Sequence, residues 1–138
     1  MHFINPYVGF NGKCLAAMNF YQQGFGGELE LQKFDDPAGS PDDNASGEKI
    51  LHASLHLKGL QIIMGTDMTE KEGFIKGNNI ALAISCESEE EITSLFQKLA
   101  HAGRPVSPLQ EYPWGGIFGS VDDQFGIRWM LNYDKPKV

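Results

Sequence analysis

The sequence predicts an α+β protein built from two halves that share one element order, strand–helix–three strands. Three observations carry this. Alternating apolar segments of strand length recur through the chain. Two helical stretches begin about 75 residues apart, behind Asn11 and at Ser88. Each is preceded by one strand-like segment and followed by three.

The elements follow in order. Ile4 to Phe10 alternates as a strand, and Asn11 is a suitable N-cap for a helix carrying Cys14, Met18, Tyr21 and Phe25. Gly26-Gly27 ends that helix, and Glu28 to Phe34 is the next strand. Asp35 to Glu48 is rich in Pro, Gly, Ser and Asp and reads as a loop. Ile50 to Leu57 and Leu60 to Gly65 form a hairpin around Lys58-Gly59, and Thr66 to Asn78 is a second polar loop.

The order then restarts. Asn79 to Cys86 is a strand. Ser88 to Glu91 is a capping box, in which Ser88 accepts from the Glu91 amide and the Glu91 side chain reaches back. Ile92, Leu95, Phe96 and Leu99 make one apolar stripe, and Gly103 closes the helix. Pro105 to Gln110, Gly116 to Val121 and Ile127 to Tyr133 are the last strands, the final pair joined by the turn 122–126. The chain therefore reads as one domain, 1–138, with pseudo-repeat halves 1–70 and 76–138.

Composition bounds the function. The 138 residues suffice for one ordinary core, with 41% hydrophobic and 21% charged residues. A formal charge of −7, with no basic cluster, argues against nucleic acid and anionic membranes as partners. No apolar run is long enough to span a bilayer, and the first residues lack a signal-peptide pattern, so a cytoplasmic location is expected. Cys14 and Cys86 have no CxxC or Cys/His partner and read as reduced thiols. No GxGxxG opens a helix after a strand and no P-loop motif occurs.

Alternation sorts each strand into two faces. Ile4, Val8 and Phe10 oppose Asn5, Tyr7 and Gly9; Leu51, Ala53, Leu55 and Leu57 oppose His52, Ser54 and His56. Ile80, Leu82, Ile84 and Cys86 oppose Asn79, Ala81, Ala83 and Ser85; Ile127, Trp129 and Leu131 oppose Arg128, Met130 and Asn132. The aliphatic faces pack on the helices. The other faces carry Tyr7, His52, His56 and Asn79, more polar and aromatic groups than solubility requires, and are expected to line a pocket.

Asn5-Pro6-Tyr7, Asn19-Phe20-Tyr21, Phe25-Gly26-Gly27-Glu28, His52-Ala53, Met64-Gly65, Gly77-Asn78-Asn79, Pro108-Leu109-Gln110, Trp114-Gly115, Phe118-Gly119, Asp123 with Phe125-Gly126, and Trp129-Met130 with Asn132 occur in an order and spacing similar to the PhnB-like branch of the glyoxalase/bleomycin-resistance/dioxygenase (vicinal oxygen chelate) superfamily. The resemblance implies two βαβββ modules closing a cup-shaped, eight-stranded mixed sheet, helices outside, in a homodimer. Metal-using members hold a divalent ion with His or Glu on the first and last strands of the modules. Those places fall here at or beside Asn5, at Ile63 or Met64, at Asn79 and at Met130, and none is His, Glu, Asp or Cys. Met and Asn are poor ligands for hard or borderline ions. No metal and no cofactor are therefore expected.

The leading expectation is small-molecule binding without a metal, by Asn5, Tyr7, His52, Ser54, His56, Asn79, Gln110, Trp114, Phe118, Met130 and Asn132. Trp114 and Phe118 would form an aromatic rim, and Gln110 and Asn132 would supply amide contacts. A second reading is a lyase or isomerase using a shifted metal site or acid–base work by His52 and His56. On a strand these two histidines stand roughly 13 Å apart, too far to share an ion. A third reading is a structural or regulatory dimer with a vestigial cup.

Overall fold

The computed structural model describes residues 4–33, 49–68 and 73–136. They form two compact units, Met1–Ile75 and Lys76–Val138. The first holds β1 (Tyr7–Gly9), α1 (Cys14–Phe25), β2 (Glu28–Lys33), β3 (Ile50–Leu57) and β4 (Leu60–Thr66). The second holds β5 (Leu82–Ser85), α2 (Glu89–Ala100), β6 (Arg104–Glu111), β7 (Gly116–Asp122) and β8 (Arg128–Asp134). The eight strands fall into two four-stranded sheets, ordered β1-β4-β3-β2 and β5-β8-β7-β6. In each, the first strand lies parallel to the last and the other pairs are antiparallel. The duplicated strand–helix–three-strand order is thus repeated in the topology. The expected loop 35–48 lies outside the described residues.

The core of the first unit is the α1 stripe Cys14, Ala17, Met18 and Tyr21 against Ile50, Ala53, Leu55 and Ile63, all essentially inaccessible. Gly65 lets the helix approach: a Cβ there would stand 2.8 Å from the Phe10 ring and 3.0 Å from the Cys14 sulfur. In the second unit Ile92, Leu95 and Leu99 of α2 are buried with Val121, Trp129 and Leu131. Gly119 does there what Gly65 does in the first, since its Cβ would meet Leu109 and Phe96 at 2.7 and 3.0 Å. Burial pushes the Cys14 thiol up to about 12 and the Cys86 thiol up to about 11, so both free thiols are protonated at neutral pH.

Helix α2 starts as its sequence dictates. Ser88 Oγ accepts from the Glu91 amide at 3.0 Å, and Glu91 Oε1 accepts from the Glu87 amide at 2.8 Å. Its end differs from expectation. Ala102, not Gly103, takes the left-handed conformation, at φ +56°. Gly103 is needed for a different reason: a Cβ there would stand 2.4 Å from the Asp122 carbonyl oxygen.

Helix α1 starts differently from the sequence reading. Asn11 does not cap it; the cap position is Lys13, with no side-chain bond, and Asn11 itself sits at φ +52°. The cap comes from Asp67, whose Oδ1 accepts from the Gly12 and Cys14 amides, both at 2.8 Å. Its Oδ2 accepts from the Ile50 amide at 2.9 Å. One buried carboxylate thereby ties the start of α1 to the start of β3.

Two strand starts also move, and one register shifts. β1 begins at Tyr7, and Ile4 is 98% exposed. Pro6 has no N–H to donate, and only its carbonyl joins the sheet, accepting from the Met64 amide. β5 begins at Leu82, leaving Asn79 and Ile80 exposed ahead of it. In β3 the register shifts between Gln32 and Lys33, which pair with His52 and Ile50. Leu51 is the extra residue of this bulge, so Ile50 takes the core place that alternation gives to Leu51.

The exposed edge strand β6 carries Pro105 and Pro108 and two register irregularities, between Pro105 and Ser107 and between Ser107 and Gln110.

Candidate functional site

In each unit the sheet face turned away from the helix carries the polar and aromatic side chains. Register fixes which of them are neighbours. On the first sheet Tyr7 pairs with Met64, Met64 with Ser54, and Ser54 with Glu30, one row across four strands. His52 lies in the next row toward Lys33, and its ring meets Tyr7 edge-on at 5.7 Å between centroids. Tyr7 is more than half exposed, whereas Ser54 is buried. His56 stands at the other end, opposite Glu28 and Gln61. Ile63 packs in the core, so the metal-ligand position left open between Ile63 and Met64 falls on Met64 for this face.

On the second sheet three rows run across β8, β7 and β6. Asn132 pairs with Phe118 and Phe118 with Gln110, with Ser85 of β5 beside Asn132. Met130 pairs with Ser120 and Ser120 with Ser107, with Ala83 beside Met130. Arg128 pairs with Asp122 and Asp122 with Arg104. At the far end of the face Tyr112 and Trp114 stack at 4.7 Å with their planes 9° apart, and Tyr112 meets Phe118 edge-on. Trp114 folds over Gly116, where a Cβ would stand 2.8 Å from its Nε1.

The expected ligand-binding residues thus gather into two groups, each inside one unit. Tyr7, His52 and Ser54 share the first open face with Met64, and His56 lies on it too. Gln110, Phe118, Asn132, Met130 and Trp114 share the second. Asn5 is half-buried ahead of β1, and Asn79 is exposed ahead of β5, so neither stands in a ladder. Trp129 is core, as its face requires, and donates from Nε1 to Asp123 Oδ2 at 2.8 Å. Sequence reasoning missed Tyr112, Ser120 and the pairing of Arg104 with Asp122; Tyr112 is separated from Trp114 by one proline, a spacing that hints at ring contact only once the turn is known.

Among the described residues, no three of His, Cys, Asp and Glu converge where they could hold a metal ion. None of the described helices is long and apolar enough to cross a membrane. The helix starts are taken by the chain's own side chains: Asp67 at α1, Ser88 and Glu91 at α2.

Paired βαβββ units of this topology are the fold of the glyoxalase/bleomycin-resistance/dioxygenase superfamily. A glyoxalase/bleomycin resistance protein/dioxygenase family enzyme from Burkholderia phytofirmans PsJN shares it, with a TM-score of 0.60 at 15% identity over 96% of each chain. Within that fold, residues 2–132 match the family described as 3-demethylubiquinone-9 3-methyltransferase, and the chain belongs to this PhnB-like family. Protein YjdN of Escherichia coli K12 is 32% identical, over 97% of both chains. Protein PA1353 of Pseudomonas aeruginosa is 31% identical with a TM-score of 0.83, over 99% of this chain and all of that one. A putative 3-demethylubiquinone-9 3-methyltransferase, PhnB protein, from Bacillus cereus is 30% identical with a TM-score of 0.73, over 96% and 99% of the two chains.

Proposed function

We propose that this chain binds a small molecule with a flat apolar body and amide-type hydrogen-bonding groups on the open face of its second sheet, without a metal ion. The observation that carries this is the row Ser85–Asn132–Phe118–Gln110. Neighbouring strands lie about 4.8 Å apart, so the two amides flank the Phe118 ring on either side. Each amide both donates and accepts, and the ring offers an apolar platform between them. The stacked Tyr112–Trp114 pair extends that platform. Metal-free binding is supported by thioethers at Met64 and Met130, where relatives that use a metal need hard donors.

The family's description names methyl transfer. Against that chemistry, no glycine-rich strand-to-helix turn is present in the sequence, and the amides at the start of α1 already serve Asp67.

Thermal shift and calorimetry against a panel of planar metabolites and antibiotics test the proposal. At least one compound is expected to raise Tm, and Asn132→Ala to weaken its binding by roughly 3–10-fold, the worth of one neutral hydrogen bond. No stabilisation by any compound, or unchanged binding by the variant, counts against it. Stoichiometric metal retained through purification overturns the metal-free part.

The Tyr7–His52 contact favours a second reading, acid–base catalysis of a lyase or isomerase type by His52. His56 is four residues further along the strand and cannot serve the same reacting atom. Loss of turnover on the bound compound in His52→Ala is the expected result, and unchanged turnover removes this reading.

A further inference from the structure

We propose that Arg104 and Arg128 form an anchor for an oxyanion, a carboxylate or phosphate carried at one end of the ligand. This rests on the binding reading above for the ligand's body, and on separate residues for its charged end.

Both guanidinium groups converge on Asp122. Arg128 holds the carboxylate with two nitrogens, Nε to Oδ1 at 2.7 Å and Nη2 to Oδ2 at 3.0 Å. Arg104 Nη2 donates to the same Oδ2 at 2.9 Å. Two cations share one anion, so the cluster keeps one positive charge in a chain of net −7. The Arg128 side chain is held by its two-point bond and is about a third exposed. The Arg104 side chain is 71% exposed and bonded through one nitrogen, which leaves most of its planar fork turned outward. The neighbouring carboxylate, Asp123, is buried and accepts from the Phe125 and Ile127 amides and the Trp129 indole.

A guanidinium fork matches the two oxygens of a carboxylate or phosphate better than any other side chain. Asp122 acts as a brace here. It keeps two like charges side by side against their repulsion, and an incoming oxyanion completes the neutralisation.

The anchor also sets the ligand's length. Arg128, Met130 and Asn132 alternate along β8 on one face, so the charged row stands about 7 Å from the Met130 row and about 13 Å from the amide row. A molecule with its oxyanion on Arg104 and its ring on Phe118 spans that distance across the Ser107–Ser120 pair.

Calorimetric titration with inorganic phosphate, and separately with acetate, at constant ionic strength tests the anchor without knowledge of the full ligand. The expected result is saturable millimolar binding of at least one of the two, and the tighter one identifies the anchor's chemistry. Arg104→Gln should weaken it at least tenfold. Arg104→Lys, which keeps the charge and loses the fork, should weaken it by less than Arg104→Gln. In an NMR titration the side-chain Nε–H signals of both arginines should shift. Heat no larger than that from added chloride, or unchanged affinity in Arg104→Gln, overturns the proposal. Asn132→Ala should leave phosphate or acetate affinity unchanged, so failure of the anchor and failure of the amide row are told apart.

Discussion

Asp67→Ala is expected to lower the stability of the chain by about 4 kcal/mol, an unusually large effect for one exchange of a loop residue. The carboxylate accepts three backbone amides, from Gly12, Cys14 and Ile50, and is only 6% exposed. Hydrogen bonds to a charged acceptor contribute roughly 1.5–3 kcal/mol each, and a buried donor left without a partner costs roughly 1–3 kcal/mol. The three do not add fully, because the loop can relax toward water. For a chain of this size the loss corresponds to a fall in Tm of roughly 15 °C, read by differential scanning calorimetry. Asp67→Asn should lose about half as much, since one oxygen still accepts. A fall under about 3 °C for the Ala variant would mean that α1 does not depend on this cap.

Gly27→Ala is expected to cost about 3 kcal/mol or more, for a reason of backbone geometry. Gly27 sits at φ +95°, a conformation that L side chains rarely adopt. Its Cβ would also stand 2.3 Å from the His56 carbonyl oxygen. That oxygen belongs to β3 and cannot swing aside as a side chain would, so β2 must lift away from its neighbour. Gly26→Ala is the control. Gly26 also has a positive φ, at +81°, but nothing lies within 4 Å of the added atom. Chemical denaturation of the two variants separates strain from collision, and equal losses would show that the collision relaxes freely.

Much of the fold was legible because its information is local. Alternation and helical stripes placed the elements, and Ser88 and Glu91, three residues apart, announced the start of α2. The cap of α1 was hidden because Asp67 lies 55 residues from Gly12 and 53 from Cys14. A sequence shows Asn11 beside the helix and cannot show a carboxylate brought from the end of β4. The exchange of Leu51 for Ile50 was hidden in the same way, since a bulge is a property of two paired strands. For the candidate site, period-two reasoning put Tyr7 with His52, and Met130 with Asn132, on the right faces. It could not tell that Gln110, Phe118 and Asn132 stand in one row, because that alignment is a property of three paired strands and not of any one of them. The ladders leave out Asn5 and Asn79, whose segments lie before the first hydrogen-bonded residue of each short strand.

The two register irregularities in β6 bear on how the chain behaves among its own copies. Pro105 and Pro108 remove two backbone donors from an eight-residue strand, and the bulges spoil its even spacing. A foreign strand approaching that border meets a broken template and gains few of the bonds that drive runaway stacking. The border next to the amide row thus offers another polypeptide a poor template for strand pairing.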